Sequence, residues 1–261
     1  MKLISLNTWG GKYFGSLIKF IQESSKDTDI FCLQEIFDTT SDVKDYKEMI
    51  RANLLGELKT ILKKYKCFYF PIMIGYDFQA NSVNFDLKYG QTIFIKKDIK
   101  VEIYKKYFIF KSRSDSPKKD FSNLSTPLQQ IQFSSNNKTF SIFNFHGTSS
   151  PTVKKDTPKR LEQSKKVKAI IDKAKGVKIL AGDFNLSIFT KSIKLFEKDM
   201  LNLIKKFKVQ KTRSKLSPFY GKSNFQKFAD YTFVSRDVKV ISFEVLDIKV
   251  SDHLPMVLEF S

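Results

Sequence analysis

The chain has 261 residues, 41% of them hydrophobic, and is therefore long enough to bury a large core as one domain over residues 1–261. Its formal charge of +19, from 46 basic and 27 acidic residues, favours a polyanionic partner such as nucleic acid or an anionic membrane surface. The alternative is AT-rich coding bias, because 41 of the 46 basic residues are lysines spread along the whole chain. No apolar run reaches the length of a membrane helix, and the N-terminus lacks a secretory signal, so we expect a cytoplasmic protein, and we expect it to be a monomer. Two cysteines and two distant histidines do not have the spacing of a zinc site.

Strand-like apolar runs alternate with segments of helical periodicity from the N-terminus to the C-terminus. In chain order, the pattern predicts a strand over 2–6, a helix over 15–25, a strand over 29–34, an amphipathic helix over 42–65, strands over 67–74, 91–96, 101–110, 129–133 and 139–145, a helix over 159–174, a strand over 177–181, a helix over 190–207 and strands over 229–260. Exposed loops are predicted over 111–127 and 211–228. This mixture is typical of mixed sheets with helices outside.

Polar residues capable of chemistry follow apolar strands at five places. They are Asn7, Glu35, His146, the pair Asp183 and Asn185, and the pair Asp252 and His253. Ligands of α/β sheets bind where strands end, because loops and solvent meet there. A single carboxylate after a strand is more often a cap or turn residue, but five such places together indicate a functional site.

One more residue is predicted to join this group. Arg236 and Asp237 have the character of a tight turn between strands over 229–235 and 238–248, and antiparallel pairing of those strands would bring Asp230 towards His253. A carboxylate beside His253 would fix its tautomer. The alternative reading of each histidine is an ordinary loop residue whose hydrogen bonds are satisfied.

The available ligands indicate which metal the site would bind. Glu35, Asp252 and Asn7 offer hard oxygen atoms, which suit Mg²⁺ or Mn²⁺ better than zinc. Mg²⁺ takes one or two protein carboxylates and completes its shell with water and substrate phosphate.

These motifs resemble the endonuclease/exonuclease/phosphatase superfamily. The matching segments are 6–9 (Leu-Asn-Thr-Trp), Gln34-Glu35, His146-Gly147, Gly182-Asp183-Phe184-Asn185, Asp230-Tyr231 and 251–255 (Ser-Asp-His-Leu-Pro), in the family's order over nearly the whole chain. The resemblance implies a four-layer α/β/β/α sandwich of two mixed β-sheets and a metal-dependent phosphoric ester hydrolase.

The resemblance also implies a role for each residue. Glu35 is the main metal ligand, supported by Asn7 and Asp252, and Asp183 and Asn185 position water and phosphate. Asp230 and His253 form an orienting dyad, and His146 contacts phosphate. The sequence departs from the family in two respects. Trp9 stands where apurinic endonucleases carry an aspartate, and the glutamate with which pancreatic-type nucleases support the histidine that matches His146 has no clear equivalent, Asp77 being the nearest acidic candidate.

Three hypotheses about function follow. The first is a nuclease on DNA or RNA, supported by the charge and by the loop 211–228, which interleaves cations with Phe219, Tyr220, Phe225 and Phe228. The second is a phosphatase or phospholipase-type hydrolase of inositol phosphates, phospholipids or another small phosphoester. The third, a binding module without catalysis, is disfavoured because the central residues are chemically competent. Either Asp183 or neutral His253 would deprotonate the attacking water.

Overall fold

Two six-stranded mixed β-sheets pack face to face in this computed structural model, which describes residues 1–46, 50–112 and 117–261. The first sheet has the spatial order β13 (Val240–Val245), β14 (Met256–Phe260), β1 (Lys2–Asn7), β2 (Ile30–Asp38), β6 (Lys88–Lys96) and β5 (Tyr65–Ile74). The second has the order β11 (Met200–Asn202), β12 (Asp230–Ser235), β10 (Val177–Asp183), β9 (Lys138–His146), β8 (Thr126–Ser135) and β7 (Val101–Phe110). A small hairpin pairs β3 (Asp45–Tyr46) with β4 (Ile50–Arg51).

Helices cover the outer face of each sheet. They are α1 (Phe14–Ser24), α2 (Leu54–Ile61), α3 (Pro158–Asp172), α4 (Lys191–Glu197) and α5 (Leu203–Lys206), with a short 3₁₀ turn at Trp9–Gly11. The first two pack on the first sheet, and α3 and α4 pack on the second. The predicted four-layer α/β/β/α sandwich of two mixed sheets is therefore confirmed.

The alternation of side chains along the strands explains these layers. In β1, Leu3 joins the apolar cluster shared with the second sheet, whereas Ile4 and Leu6 join the cluster shared with α1 and α2. Successive side chains of a strand point to opposite faces, so a strand that is apolar at nearly every position is buried on both faces. No helix in the described part of the chain has the length and apolar character needed to span a membrane.

A buried group of amide side chains lies between the sheets. Gln34 Nε2 donates to Asn144 Oδ1 at 2.6 Å, and Gln91 Nε2 donates to the Asn144 carbonyl at 2.8 Å. Asn144 Nδ2 donates in turn to Gln129 Oε1 at 3.2 Å. Because buried polar groups need partners, this group favours one alignment of the two sheets.

The helix predicted over 42–65 is wrong in its first half. Residues 45–46 and 50–51 form the β3–β4 hairpin, and residues 47–49 lie outside the described residues. The helix begins only after Asn53, whose side-chain oxygen caps it by accepting from the Gly56 N–H at 3.1 Å. The apolar spacing of Tyr46 and Ile50 instead serves packing against a third apolar cluster around Phe37.

Two further predictions need correction. The helix over 190–207 is split, because residues 200–202 form the edge strand β11 and Asn202 then caps α5. The hairpin between residues 229–235 and 238–248 does not form, because β12 pairs with β10 and β11 whereas β13 pairs with β14 in the other sheet. The chain crosses between sheets at Arg236 and Asp237.

The loop predicted over 111–127 ends where β8 begins at Thr126, and its residues 113–116 lie outside the described residues.

Candidate active site

Three neighbouring strands of the second sheet place three titratable side chains in one row. His146 on β9 is the register partner of Asp183 on β10, and Asp183 is the partner of Asp230 on β12. His146 Nε2 lies 3.8 Å from Asp183 Oδ2. Residues in register on adjacent strands have side chains within a few ångströms of each other. The pairing of these strands therefore accounts for the proximity of three of the predicted site residues.

The first sheet contributes Asn7 and Glu35 from its own strand ends. Asn7 Nδ2 donates to Glu35 Oε1 at 2.9 Å and to Asp183 Oδ2 at 3.1 Å, so its amide group bridges carboxylates of the two sheets. Glu35 lies at a break in the pairing of β2 with β6 and has a φ of 58°. This left-handed backbone is unfavourable for a glutamate and turns its side chain out of the regular strand alternation.

Two glycines allow the strands to approach closely beside the site. A Cβ atom on Gly182, whose φ is +144°, would lie 2.0 Å from the Phe145 carbonyl oxygen. A Cβ atom on Gly147 would lie 2.5 Å from the Phe184 carbonyl oxygen. Since backbone atoms cannot yield to such contacts, only glycine fits next to Asp183 and His146.

Asn185 and Lys154 face Asp183 from the following loops. The backbone N–H of Asn185 donates to Asp183 Oδ1 at 2.8 Å, and the side-chain Nδ2 of Asn185 donates to the Gly147 carbonyl at 3.0 Å. The Lys154 ammonium contacts Asn185 Oδ1. Arg160, buried on α3, donates to the carbonyls of five residues of the loop that carries Lys154: Thr148, Ser149, Pro151, Val153 and Lys155. The guanidinium thereby fixes the backbone that presents Lys154.

His253 forms the predicted pair with Asp230. Its Nδ1 lies 2.8 Å from Asp230 Oδ1 and 2.9 Å from Oδ2, while its Nε2 contacts the Arg213 guanidinium. A guanidinium is only a donor, so Nε2 must accept and the proton must lie on Nδ1, where Asp230 receives it. His253 is therefore the neutral Nδ1–H tautomer, and the lone pair on Nε2 accepts from Arg213.

Arg213 is held where two loops meet the start of β12. Its Nη2 donates to Asp252 Oδ2 at 2.5 Å. The neighbouring Thr212 hydroxyl accepts from the backbone N–H groups of Ala229 and Asp230 at 3.0 and 3.1 Å, and its carbonyl accepts from Leu254 at 2.9 Å. The loop 211–214 therefore joins the two segments that carry the dyad.

Burial dominates the electrostatics of these groups. It raises the pKa of Glu35 to about 8, with the charges of Asp252 and Asp183 acting in the same direction and the hydrogen bond from Asn7 opposing it. Burial, followed by the charge of Asp183, also raises the pKa of Asp230. It lowers the pKa of both His146 and His253 to about 4, and that of Lys154 to about 8. At neutral pH both histidines are therefore uncharged, whereas Lys154 is largely protonated.

The donor set fits a hard divalent cation. Glu35 Oε1 lies 3.7 Å from His146 Nε2, and with Asp183 these residues offer ligand atoms within 4.8 Å of one another. Asp183, Asp230 and His253 form a second such group, but two of its members already share a hydrogen bond. Several buried carboxylates meet here, and a cation would offset their mutual repulsion. The oxygen of Asn7 accepts from the Trp9 N–H at 3.0 Å, so Asn7 presents nitrogen to the carboxylates.

A cavity of about 440 Å³ opens over these residues. Glu35, His146, Asp183, Asn185, Asp252 and His253 all contribute to its lining, as do Lys154 and Arg213. A second cavity of about 170 Å³ shares Ser149, Thr152, Lys154, Arg213 and Phe219 with it. The two cavities are therefore contiguous beside Lys154 and Arg213.

Sequence reasoning missed Lys154 and did not single out Arg213. Both lie in loops, and nothing in a lysine-rich chain distinguishes one lysine from the rest. The available sequence signal for Arg213 was its position in the loop 211–228, which leads directly to Asp230. The aromatic residues of loop 211–228 divide: Phe219 and Tyr220 are half-exposed, whereas Phe228 packs against the core. Asp77 organises its own loop by accepting from the N–H groups of Gln79 and Asn81 at 2.8 and 2.9 Å.

Comparison with known proteins identifies the family of the chain. The sequence profile described as the endonuclease/exonuclease/phosphatase family matches residues 4–253. No curated protein matches the chain in sequence.

Several solved structures share the fold across the whole chain. A mannosyl-6-phosphatase of Bacteroides thetaiotaomicron VPI-5482 is similar, with a TM-score of 0.71, 18% identity and coverage of 100% of this chain and 99% of that one. A family protein of Leptotrichia buccalis has a TM-score of 0.71, 15% identity and coverage of 100% and 98%. The human nocturnin catalytic domain, with bound sulfate, has a TM-score of 0.68, 17% identity and coverage of 100% and 93%. At these identities the similarity establishes the fold.

Proposed function

The chain belongs to the endonuclease/exonuclease/phosphatase family, and from that membership we propose that it is a Mg²⁺- or Mn²⁺-dependent phosphodiesterase acting on nucleic acid, with its whole length, residues 1–261, as one catalytic domain. Members of this family are hydrolases of phosphate esters. One observation carries the proposal. Glu35, Asp183 and the Asp230–His253 dyad, although distributed over two sheets, line or adjoin one cavity.

We assign the metal to Glu35, supported by Asn7 and Asp252. When bound, a divalent cation would offset charge on the phosphate and help the leaving oxygen depart. Asn7 holds the Glu35 carboxylate through its amide nitrogen, at 2.9 Å. The raised pKa of Glu35 reflects the cost of an ionised carboxylate in this buried place, which cation binding would remove.

The remaining residues handle water and phosphate. Asp183 Oδ2 and His253 Nε2 lie 3.7 Å apart, so a water held near both has two candidate proton acceptors. Asp230 keeps the proton of His253 on Nδ1, and Nε2 becomes able to accept from water once Arg213 turns from it to the bound phosphate. The side chains of Asn185, His146, Lys154 and Arg213 donate hydrogen bonds to the non-bridging oxygens, where negative charge develops as water attacks.

The two adjoining cavities favour a diester over a monoester. A phosphate bound at Lys154 and Arg213 would have one substituent in the larger cavity and a second in the smaller one. A monoester has one substituent and would occupy less of this contiguous space. The formal charge of +19 favours a nucleic acid among diesters.

A second candidate is a phosphatase or phospholipase-type hydrolase of a small phosphoester. The observation that favours it is the likeness in fold to a protein described as a mannosyl-6-phosphatase. Salt dependence separates the two candidates. Contacts with several phosphates of a nucleic acid release counterions and make affinity fall steeply with ionic strength, whereas a small phosphoester gives a shallow slope.

The experiment is an activity panel with Mg²⁺ and with Mn²⁺. It includes single- and double-stranded DNA, RNA, abasic DNA, inositol phosphates, a sugar phosphate and sphingomyelin, each at two salt concentrations. We expect turnover of nucleic acid with a steep salt dependence, and its loss in Asp183→Asn. Turnover of a sugar or inositol phosphate alone would favour the second candidate. Inertness over the whole panel would overturn both and revive the binding-module hypothesis.

A further inference from the structure

Part of the lining of the larger cavity is apolar. Besides the ionic residues, the lining includes Ile72, Met73, Phe78, Tyr89, Phe121 and Leu124. We call these six residues the aromatic recess. They come from β5, from β6, from the loop between those strands and from the loop before β8. None of the six carries a charge, so the recess is suited to an uncharged part of a ligand.

The recess is a packed structure. Its residues belong to the third apolar cluster, in which Ile72 and Met73 are each 1% exposed. The Phe78 ring packs edge-on against Phe37 at 4.8 Å between ring centres and against Tyr89 at 5.5 Å. Rings fixed in this way present a preformed surface to a ligand and lose little entropy when it binds.

Tyr89 lines the cavity together with Glu35 and Asp183, so the recess adjoins the ionic residues. Tyr89 is 4% exposed, and its ring packs against that of Phe37 at 5.1 Å between ring centres. A ring bound in the recess would therefore lie close to the residues assigned to the scissile phosphate.

Resting on the proposed function, we propose that the aromatic recess binds a planar aromatic ring carried by the group esterified to the scissile phosphate. An unpaired nucleobase or an aryl group meets this description. Rings and a thioether are the surfaces on which flat rings stack, and stacking of this kind does not select a base sequence. A base held in a duplex is already paired and stacked, so the recess selects single-stranded or locally unpaired substrates.

The test uses four dinucleoside phosphates with the same sugars and the same diester. One has both bases, two have an abasic tetrahydrofuran residue on one side, and one lacks both bases. We expect removal of the base on one particular side to lower kcat/KM by at least about tenfold, and removal on the other side to have a smaller effect. A thymidine phosphate with a phenyl ester replacing the critical nucleoside distinguishes an aryl requirement from a nucleobase requirement. Equal kcat/KM for all four dinucleoside phosphates would overturn the proposal.

Variants locate the effect in the recess. Phe78→Leu keeps an apolar side chain but removes the ring, and it should abolish most of the preference for a base on the critical side. Phe207→Leu is the matched control, since Phe207 is 39% exposed and packs on Phe243. An unchanged preference in Phe78→Leu, with folding confirmed by circular dichroism, would count against the recess.

A binding measurement separates failure of the inference from failure of the proposed function. If no dinucleoside phosphate is cleaved with either metal, the proposed function fails, and calorimetry with phenyl phosphate and methyl phosphate still tests the recess. We expect phenyl phosphate to bind at least about tenfold more tightly in the wild-type protein, and the difference to shrink in Phe78→Leu. Equal affinities in the wild-type protein would overturn the inference.

Discussion

Nδ1 of His253 lies 2.8 Å from Oδ1 of Asp230, although the two residues are carried by different sheets. Asp230 begins β12 in the second sheet, and His253 precedes β14 in the first. Both side chains are almost fully buried, at 2% and 3% exposure. The contact therefore fixes the tautomer of His253 and also ties together the two halves of the site.

Replacing Asp230 by asparagine should preserve the fold and remove most turnover. The amide keeps the shape of the side chain but no longer holds the proton on Nδ1 with a carboxylate, so the wrong tautomer becomes accessible. By analogy with aspartate-to-asparagine changes in other histidine-carboxylate pairs, we expect kcat to fall by about 10³-fold or more. Steady-state kinetics on p-nitrophenyl diesters measures it, and Asp237→Asn, at an exposed position, is the control. Full activity in Asp230→Asn would remove the dyad from the mechanism.

Loss of the Lys154 ammonium should reduce kcat/KM by roughly 10²-fold, the usual effect of removing one donor to a developing oxyanion. Lys154→Met retains the length of the side chain. The adjacent Lys155 is exposed and provides a matched control, because Lys155→Met makes the same change of charge one residue away. If the two variants lose activity equally, the effect comes from net charge and not from a contact with phosphate.

Metal-free stability should depend on pH through Glu35. Its folded pKa of about 8 exceeds the unfolded value of 4.5, so between these values the folded protein binds more protons and loses stability as pH rises. The histidines, lowered from 6.5 to about 4, act in the opposite direction, but only below about pH 6.5. Above about pH 6.5 the histidines no longer contribute, and Lys154, whose pKa is lowered to about 8, opposes the loss only near the upper end, so the comparison with Glu35→Gln isolates Glu35.

Urea denaturation in the presence of EDTA at pH 6.5 and pH 8 checks this expectation. The free energy of unfolding should fall between the two values in the wild-type protein, and it should fall less in Glu35→Gln. Adding Mg²⁺ should reduce the loss in the wild-type protein, since bound metal stabilises the ionised carboxylate. Identical pH dependence in the two proteins would contradict a raised pKa at Glu35.

Two glycine-to-alanine changes should have opposite effects on stability. Gly182→Ala places a methyl group against the Phe145 carbonyl and should cost more than about 2 kcal/mol while displacing Asp183. Gly15 lies in α1 with no atom within 4 Å of an added Cβ, so Gly15→Ala should stabilise the protein by about 0.5–1 kcal/mol. Thermal unfolding measures both, and a neutral Gly182→Ala would contradict the close approach of β9 and β10.

The fold and the outline of the site follow from local signals in the sequence. Apolar strands mark β1, β2, β9 and β10 well, and a polar residue after such a strand must emerge at the edge of a sheet. This reasoning brings Asn7, Glu35, His146 and Asp183 together without any knowledge of strand order. It succeeds because each residue is positioned by the strand that precedes it.

The predictions that failed depend on pairing between distant segments. Asp230 was expected near His253 through a hairpin, and the two do meet, but through the packing of one sheet on the other. The helical spacing over 42–65 and 190–207 did not show that new helices begin after Asn53 and Asn202, whose side chains cap α2 and α5. Arg213 and Lys154 owe their positions to the tertiary contacts of Thr212 and Arg160, which no local pattern encodes.

The amide group around Asn144 has a consequence for how the protein can evolve. Glu35 lies on one sheet of the sandwich and Asp183 on the other, so the distance between the two carboxylates depends on how the sheets pack against each other. A core substitution that shifted one sheet by about an ångström would leave every reactive side chain present, but it would misalign the side chains of one sheet with those of the other. The substitutions that interior positions can accept are thus limited by their effect on catalysis as well as by their effect on folding.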